Sequence, residues 1–230
     1  MRRFKHSWTT TLVAAVFLAS WWGCQPSPPV VETGEEPATA EKAPPEGKTE
    51  APAAEEETVA PVVEPPPPPT IPKVTLSETS AATCLVKVDD MMPEGRLPDL
   101  EGNSQELREL RGEKLTVVYF WTADNPYALA GLSDLATDVV TPYADKGVKV
   151  IAINEDKDPE AAKKHVQELK AEFVHLHDPE GKYFAQVATE ELPRVYLLDA
   201  EGKILWFDLE YSRSVRRNLL QAVQVALGET

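Results

Sequence analysis

From about residue 85 the chain predicts an α/β domain: a mostly parallel central sheet flanked by helices, with a C-terminal antiparallel hairpin. Three observations carry this reading. Apolar runs rich in β-branched and aromatic residues alternate with amphipathic stretches. Asn125-Pro126 and Asp158-Pro159 each set a good capping residue before a proline, which marks a helix start. Two apolar runs, 195–198 and 204–209, are separated only by Asp199-Ala200-Glu201-Gly202-Lys203, a tight hairpin. Strands separated by helices pair in parallel, and a hairpin adds an antiparallel pair.

The N-terminal part reads differently. Arg2, Arg3 and Lys5 precede an apolar run at 12–22 and then Gly23-Cys24, the layout of a bacterial export signal. The run is short for a spanning helix, which needs about 20 apolar residues. Gly23-Cys24 is similar to the end of a lipoprotein signal, which implies a signal peptide over 1–23 and lipid on Cys24. The alternative is an ordinary secretory signal or an uncleaved anchor, and either one still places the chain outside the cytoplasm. The domain is then expected in the periplasm or another extracytoplasmic space, tied to a membrane through the acylated N-terminus.

Residues 24–73 read as a disordered Pro/Glu-rich linker. They hold 14 of the 21 prolines and ten Glu against three Lys, with no aromatic residue. Such a segment buries too little apolar surface to offset its ordering entropy, and proline and like charge keep it extended. Residues 74–84 are a transition, and 85–230 are globular in composition.

The net charge is −15, and loss of the three basic residues in 1–23 would make it −18. That excludes nucleic acid as a partner, since its binding needs Lys and Arg to neutralise phosphate. It also disfavours docking on anionic lipid by charge alone. The two cysteines are Cys24 and Cys84; if Cys24 carries lipid, Cys84 has no internal disulfide partner.

Within the domain, 85–88 suits a short edge strand. Leu97-Pro98-Asp99-Leu100-Glu101-Gly102 reads as a turn, with a short helix over 104–110. Residues 115–121 form a buried strand. A helix starts at Pro126 with Asn125 as cap, and Pro142 should kink or end it. Strand 148–154, a helix from Asp158 to about Ala171, and strand 173–177 follow. Asp178-Pro179-Glu180-Gly181 turns into a short helix reaching Ala188. The hairpin comes next, then a last helix over about 212–227.

These elements carry motifs in a recognisable order. They are the Leu97-to-Gly102 turn, Leu107-Arg108-Glu109-Leu110-Arg111-Gly112-Glu113 ahead of the central strand, Val117-Val118-Tyr119-Phe120-Trp121 leading into the next turn, Leu192-Pro193, and the hairpin Val195 through Ile204. The pattern resembles the thioredoxin-like superfamily of the TlpA/redoxin (AhpC/TSA-related) type, over about 135 residues from Leu97. The resemblance implies a thioredoxin-like fold and a cis bond before Pro193. It implies thiol-disulfide oxidoreductase activity where the turn holds Cys-x-x-Cys. Here the matching tetrad is Asn125-Pro126-Tyr127-Ala128, so Asn125 and Ala128 stand at the two cysteine positions. In the peroxiredoxin relatives the nucleophile lies between a Thr and a Pro, as Asn125 lies between Thr122 and Pro126. Thiol–disulfide exchange requires a thiolate.

The expected function is therefore a binding module for an envelope protein or peptide, redox-inactive at the usual site and needing no cofactor. Its face is expected at Asp124, Asn125, Pro126, Tyr127, Leu192 and Pro193. A helix N-terminus can attract anions, so Asp124 and Asn125 read either as a polar site or as a plain cap. The alternative function is a thiol-disulfide oxidoreductase or redox sensor using Cys84 or a partner's cysteine. His175 and His177, two apart on a strand with Asp178 beside them, could hold a metal but lack a third ligand in sequence, so no metal is assigned. Trp121, Tyr119 and Trp206 read as core. Arg213, Arg216 and Arg217 form a basic patch on the last helix, read either as a solvated face or as a binding surface.

Overall fold

The computed structural model describes residues 68–229; the expected signal peptide over 1–23, Cys24 and nearly all of the 24–73 segment lie outside the described residues. In chain order the elements begin with a short helix α1 (Glu78–Ala82) and a small hairpin of β1 (Arg96–Pro98) and β2 (Ser104–Glu106). After a 3₁₀ turn (Leu107–Leu110) come β3 (Leu115–Trp121) and α2 (Pro126–Leu135). The chain continues through a π turn (Ala136–Val140), α3 (Thr141–Tyr143) and β4 (Val148–Asn154) to α4 (Pro159–Glu168) and β5 (Val174–His177). A 3₁₀ turn (Phe184–Gln186), β6 (Arg194–Asp199), β7 (Ile204–Leu209) and α5 (Arg213–Leu227) complete it.

The central sheet has the order β5-β4-β3-β6-β7. β3 pairs in parallel with β4, and β4 with β5; β6 runs antiparallel to β3 and to β7. The thioredoxin-like α/β architecture is as expected: β3, β4, β5 and β7 run one way and β6 alone runs against them. β6 is reversed because it enters from a loop instead of returning through a helix.

Every residue of β3 is buried, and its side chains alternate between two cores. Val117, Tyr119 and Trp121 face α2, α4 and α5 through Leu132, Ala162 and Leu219. Val118 and Phe120 face Leu97, Leu107, Tyr183 and Tyr196. Among the described residues no helix is long and apolar enough to cross a membrane.

Several elements differ from expectation, each for a local reason. Residues 85–88 form no strand. Cys84 makes an isolated bridge to Ala188, while Leu85 and Val88 stay exposed. Four residues against a 3₁₀ turn have no strand to pair with. The expected helix at 104–110 is split, because Ser104–Glu106 pair with β1 in register Leu97↔Gln105. The Asp99 carboxylate fixes that turn, accepting from the N–H groups of Glu101 (3.0 Å) and Asn103 (2.8 Å) and from Gln105 Nε2 (3.1 Å). Those bonds outcompete the helix. The helix expected to reach Ala188 is only the 3₁₀ turn, because the buried Asp178 carboxylate collects the N–H groups of Lys182, Tyr183 and Phe184. α4 ends at Glu168, before the positive φ of Lys170. Pro142 does not end the helical run: it lies inside α3, the chain widens into the π turn just before it, and the run stops only at Gly147 in the left-handed region. Packing also begins upstream of residue 85, since Ile71, Val74 and Leu76 lie against the cores. Spaced singly among Pro, Thr and Lys, they give no periodic signal.

Candidate functional site

The turn leaving β3 is held from both sides. The Ala123 N–H donates to the Asp156 carboxylate at 2.8 Å, and Asn154 Nδ2 fixes the same oxygen at 2.7 Å. Asn125 then caps α2, its Oδ1 accepting from the N–H groups of Tyr127 (2.9 Å) and Ala128 (3.3 Å). Two donors that an anion would use are thereby occupied. The other end of the same amide reaches across: Nδ2 donates to the Leu192 carbonyl at 3.3 Å. The Leu192–Pro193 bond is cis. One side chain therefore joins the head of α2 to the loop that opens β6.

The six residues expected to share a face fall into three layers. Asp124, Pro126 and Tyr127 are exposed, Asn125 and Leu192 are half-buried, and Pro193 is buried. Tyr127, at 67% exposure, is the most exposed large apolar side chain among the described residues. Beneath them Ala128 is fully buried, and its carbonyl accepts from the Tyr119 hydroxyl at 3.1 Å. Burial holds the Tyr119 phenol well above its ordinary range, so it remains a donor. A Cβ at residue 131 would lie 2.2 Å from that hydroxyl, so α2 can approach the phenol only because position 131 is glycine. The space under the turn is filled by a phenol and a methyl group.

Glu155 flanks the turn, its N–H donating to the Trp121 carbonyl at 3.0 Å. Burial, reinforced by the charges of Asp178 and Asp156, pushes its carboxyl up to about 8. Its Oε1 has no hydrogen-bond partner.

Cys84 is not at the turn. It is 9% exposed and packs with Val118, Phe120 and Tyr196, whereas Ala128 packs with Tyr119 and Trp121. The sheet lies between them. The sulfur accepts from Arg194 Nη1 at 3.3 Å. Arg194 is fully buried, and its other donors go to the carbonyls of Glu190 (2.6 Å) and Glu191 (2.9 Å) and to Thr83 Oγ1 (2.5 Å). Sequence reasoning passed over Arg194. Its signal was an arginine inside the apolar run that starts at Pro193, where a buried charge needs several partners.

The two histidines are buried, and each spends Nε2 on a main-chain carbonyl: Ala171 at 2.8 Å for His175, Asp156 at 2.6 Å for His177. No group of three His, Cys, Asp or Glu side chains suited to a metal occurs among the described residues. Of the arginines on α5, Arg216 is paired with Asp134 (2.8 Å) and Asp138 (2.5 Å).

Comparison with known proteins agrees with this frame. The chain is 27% identical over 107 residues to a thiol-disulfide oxidoreductase ResA of Bacillus cereus, covering 46% of this chain and 61% of that protein. The Bacillus anthracis protein of the same name matches to the same extent. The alignment thus spans less than two-thirds of these relatives. Two solved structures show the same fold. The thioredoxin domain of a thiol-disulfide oxidoreductase from Bacteroides vulgatus superposes with a TM-score of 0.52 at 22% identity, over 62% of this chain and 99% of that one. A thiol:disulfide interchange protein from Bacteroides sp. gives 0.52 at 23% identity, over 63% and 92%. A Redoxin family model matches residues 87–223, more than half of the chain, and the described elements agree with it: the chain belongs to the Redoxin family, with a thioredoxin-like fold.

Proposed function

We propose that this domain is a protein- or peptide-binding module built on a thiol-oxidoreductase frame, redox-inactive at the usual turn. One observation carries the reading. The first turn of α2 presents an amide at Asn125 and a buried methyl at Ala128, so no thiolate is available there. Around the clasp, Pro126, Tyr127 and half-buried Leu192 form a small exposed apolar rim. Tyrosine suits such a rim because it offers apolar area and a polar tip at low entropic cost. The test is reduction of insulin by the full chain with dithiothreitol as electron source. Turnover should equal the uncatalysed background, with and without Cys84→Ser. Turnover above the Cys84→Ser control defeats the proposal.

A second reading has its own observation: Arg194 sets a fixed positive charge 3.3 Å from the Cys84 sulfur. On that reading the chain is a redox sensor or oxidoreductase acting through Cys84 and a partner's cysteine, in line with the names of the relatives. It requires native Cys84 to alkylate faster than the same thiol in the urea-unfolded chain. Slower alkylation in the native state removes it.

The chain is further proposed to be exported and lipid-anchored in the envelope through Cys24, with an envelope protein as partner. The layout of residues 1–24 supports this. Intact mass of membrane-extracted protein should start at Cys24 with acyl additions, and a mature N-terminus elsewhere refutes it.

A further inference from the structure

One cavity lies away from the turn. It is a cleft of about 590 Å³ beside edge strand β5, two strands away from β3. One wall is the β1–β2 hairpin with the 3₁₀ turn that follows it, and the other is the end of α4 with the start of β5. Its size is that of a small-molecule site. The lining has an apolar part, including Leu110, Val166 and Phe173, all half-buried and available for contact.

The polar part is unbalanced. Asp99, Glu101 and Glu172 line the cleft against a single cation, Lys170. Burial would raise the Asp99 carboxyl, but bonds from Asn103 and Gln105 outweigh it and hold Asp99 below its ordinary range. The imidazole in the wall, His175, adds no positive charge. Its Nε2 donates to the Ala171 carbonyl, Nδ1 has no partner, and burial among Phe173 and Trp121 keeps the ring neutral. The field of the domain acts in the same direction, since residues 85–230 hold 27 acidic against 17 basic side chains.

We propose that this cleft is a binding site for a small primary amine carrying a flat apolar body, the body against Val166 and Phe173 and the ammonium at the Glu101–Glu172 rim. The site is independent of the turn, so the insulin assay and the following one fail or succeed separately.

The probes are tryptamine and indole-3-propionate, which share a ring and differ in the sign of the terminal charge. Binding to the full chain is followed by saturation-transfer NMR and titration calorimetry. Tryptamine should bind at least tenfold more tightly. The pair Glu101→Lys and Glu172→Lys, both on exposed positions, should reverse the order. Val166→Trp, which sets a larger side chain in the cleft lining, should abolish tryptamine binding with the circular dichroism unchanged. Equal affinities, an order insensitive to charge reversal, tryptamine binding that survives Val166→Trp, or no binding at millimolar probe each overturn the proposal.

Discussion

His175 and His177 are two residues apart on one strand, both buried and both bonded to carbonyls. Burial lowers the pKa of His175 to about 4, with the Ala171 bond opposing, from an ordinary 6.5. The unfolded chain therefore binds a proton that the folded one refuses between pH 6.5 and 4. Stability from this group is complete above pH 6.5 and is lost as pH falls towards 4. At 1.36 kcal/mol per pKa unit the whole loss is roughly 3 kcal/mol. Glu155 acts with opposite sign. Its carboxyl, raised from 4.5 to about 8, makes the fold bind the extra proton, so its contribution declines as pH rises across that window. The two slopes partly cancel between pH 4.5 and 6.5, so wild type alone is uninformative. Denaturant unfolding of wild type against His175→Gln isolates the imidazole. The stability difference should move in favour of the variant by a few kcal/mol between pH 7 and pH 4.5, and a pH-independent difference contradicts the burial argument. None of this was legible in sequence. His-x-His on a strand says which face the rings share, not whether their second nitrogens find partners. The partners of Arg194 were hidden likewise, because Thr83 and Cys84 lie more than a hundred positions away.

At the scale of elements, helix ends were the most readable feature because they are written in adjacent residues. Asn125-Pro126 and Asp158-Pro159 cap as expected, and Ser212, expected only to open the last helix, caps it; each side chain accepts from an N–H two or three residues on. β3, β4 and the hairpin were readable from their apolar runs. β2 was not, because its pairing with β1 is set by the Asp99 turn rather than by its own composition. What a cap reading could not reveal is that Asn125 does two jobs. Its Oδ1 serves α2 and its Nδ2 serves Leu192, and the two can be separated. Asn125→Asp keeps an acceptor for the helix and removes the donor. Asn125→Ala removes both, at a cost typical of a lost cap, about 1 kcal/mol. Asn125→Asp should leave the midpoint of unfolding within about 0.5 kcal/mol of wild type. Amide hydrogen exchange in the 190–193 loop should quicken in both variants. Protection of that loop unchanged in Asn125→Asp means the clasp contributes nothing to the loop's order.

At the scale of the whole molecule, the proposed function separates the frame from the chemistry. The fold was legible because its motifs agree in order over most of the domain. The site was legible only as a pair of positions; the Tyr119 hydroxyl and Gly131 beneath them, which shape the floor, come from a strand and a helix that meet only in three dimensions. If only the sulfurs are missing, restoring them should restore exchange. Positions 125 and 128 are three apart at the start of α2, where helical geometry sets Cα atoms about 5 Å apart, inside the range a disulfide spans. The α2 N-terminus would favour a thiolate at 125 by its dipole. Replacing Asn125 also frees the Leu192 carbonyl. The double variant Asn125→Cys/Ala128→Cys, made in a Cys84→Ser background, should form an intramolecular disulfide detectable by a loss of two mass units. It should also reduce insulin at least tenfold above the parent. A disulfide that forms without turnover would mean that the frame has diverged beyond its two missing atoms. The Tyr119 phenol bonded to the carbonyl of residue 128 would then be the first group to change.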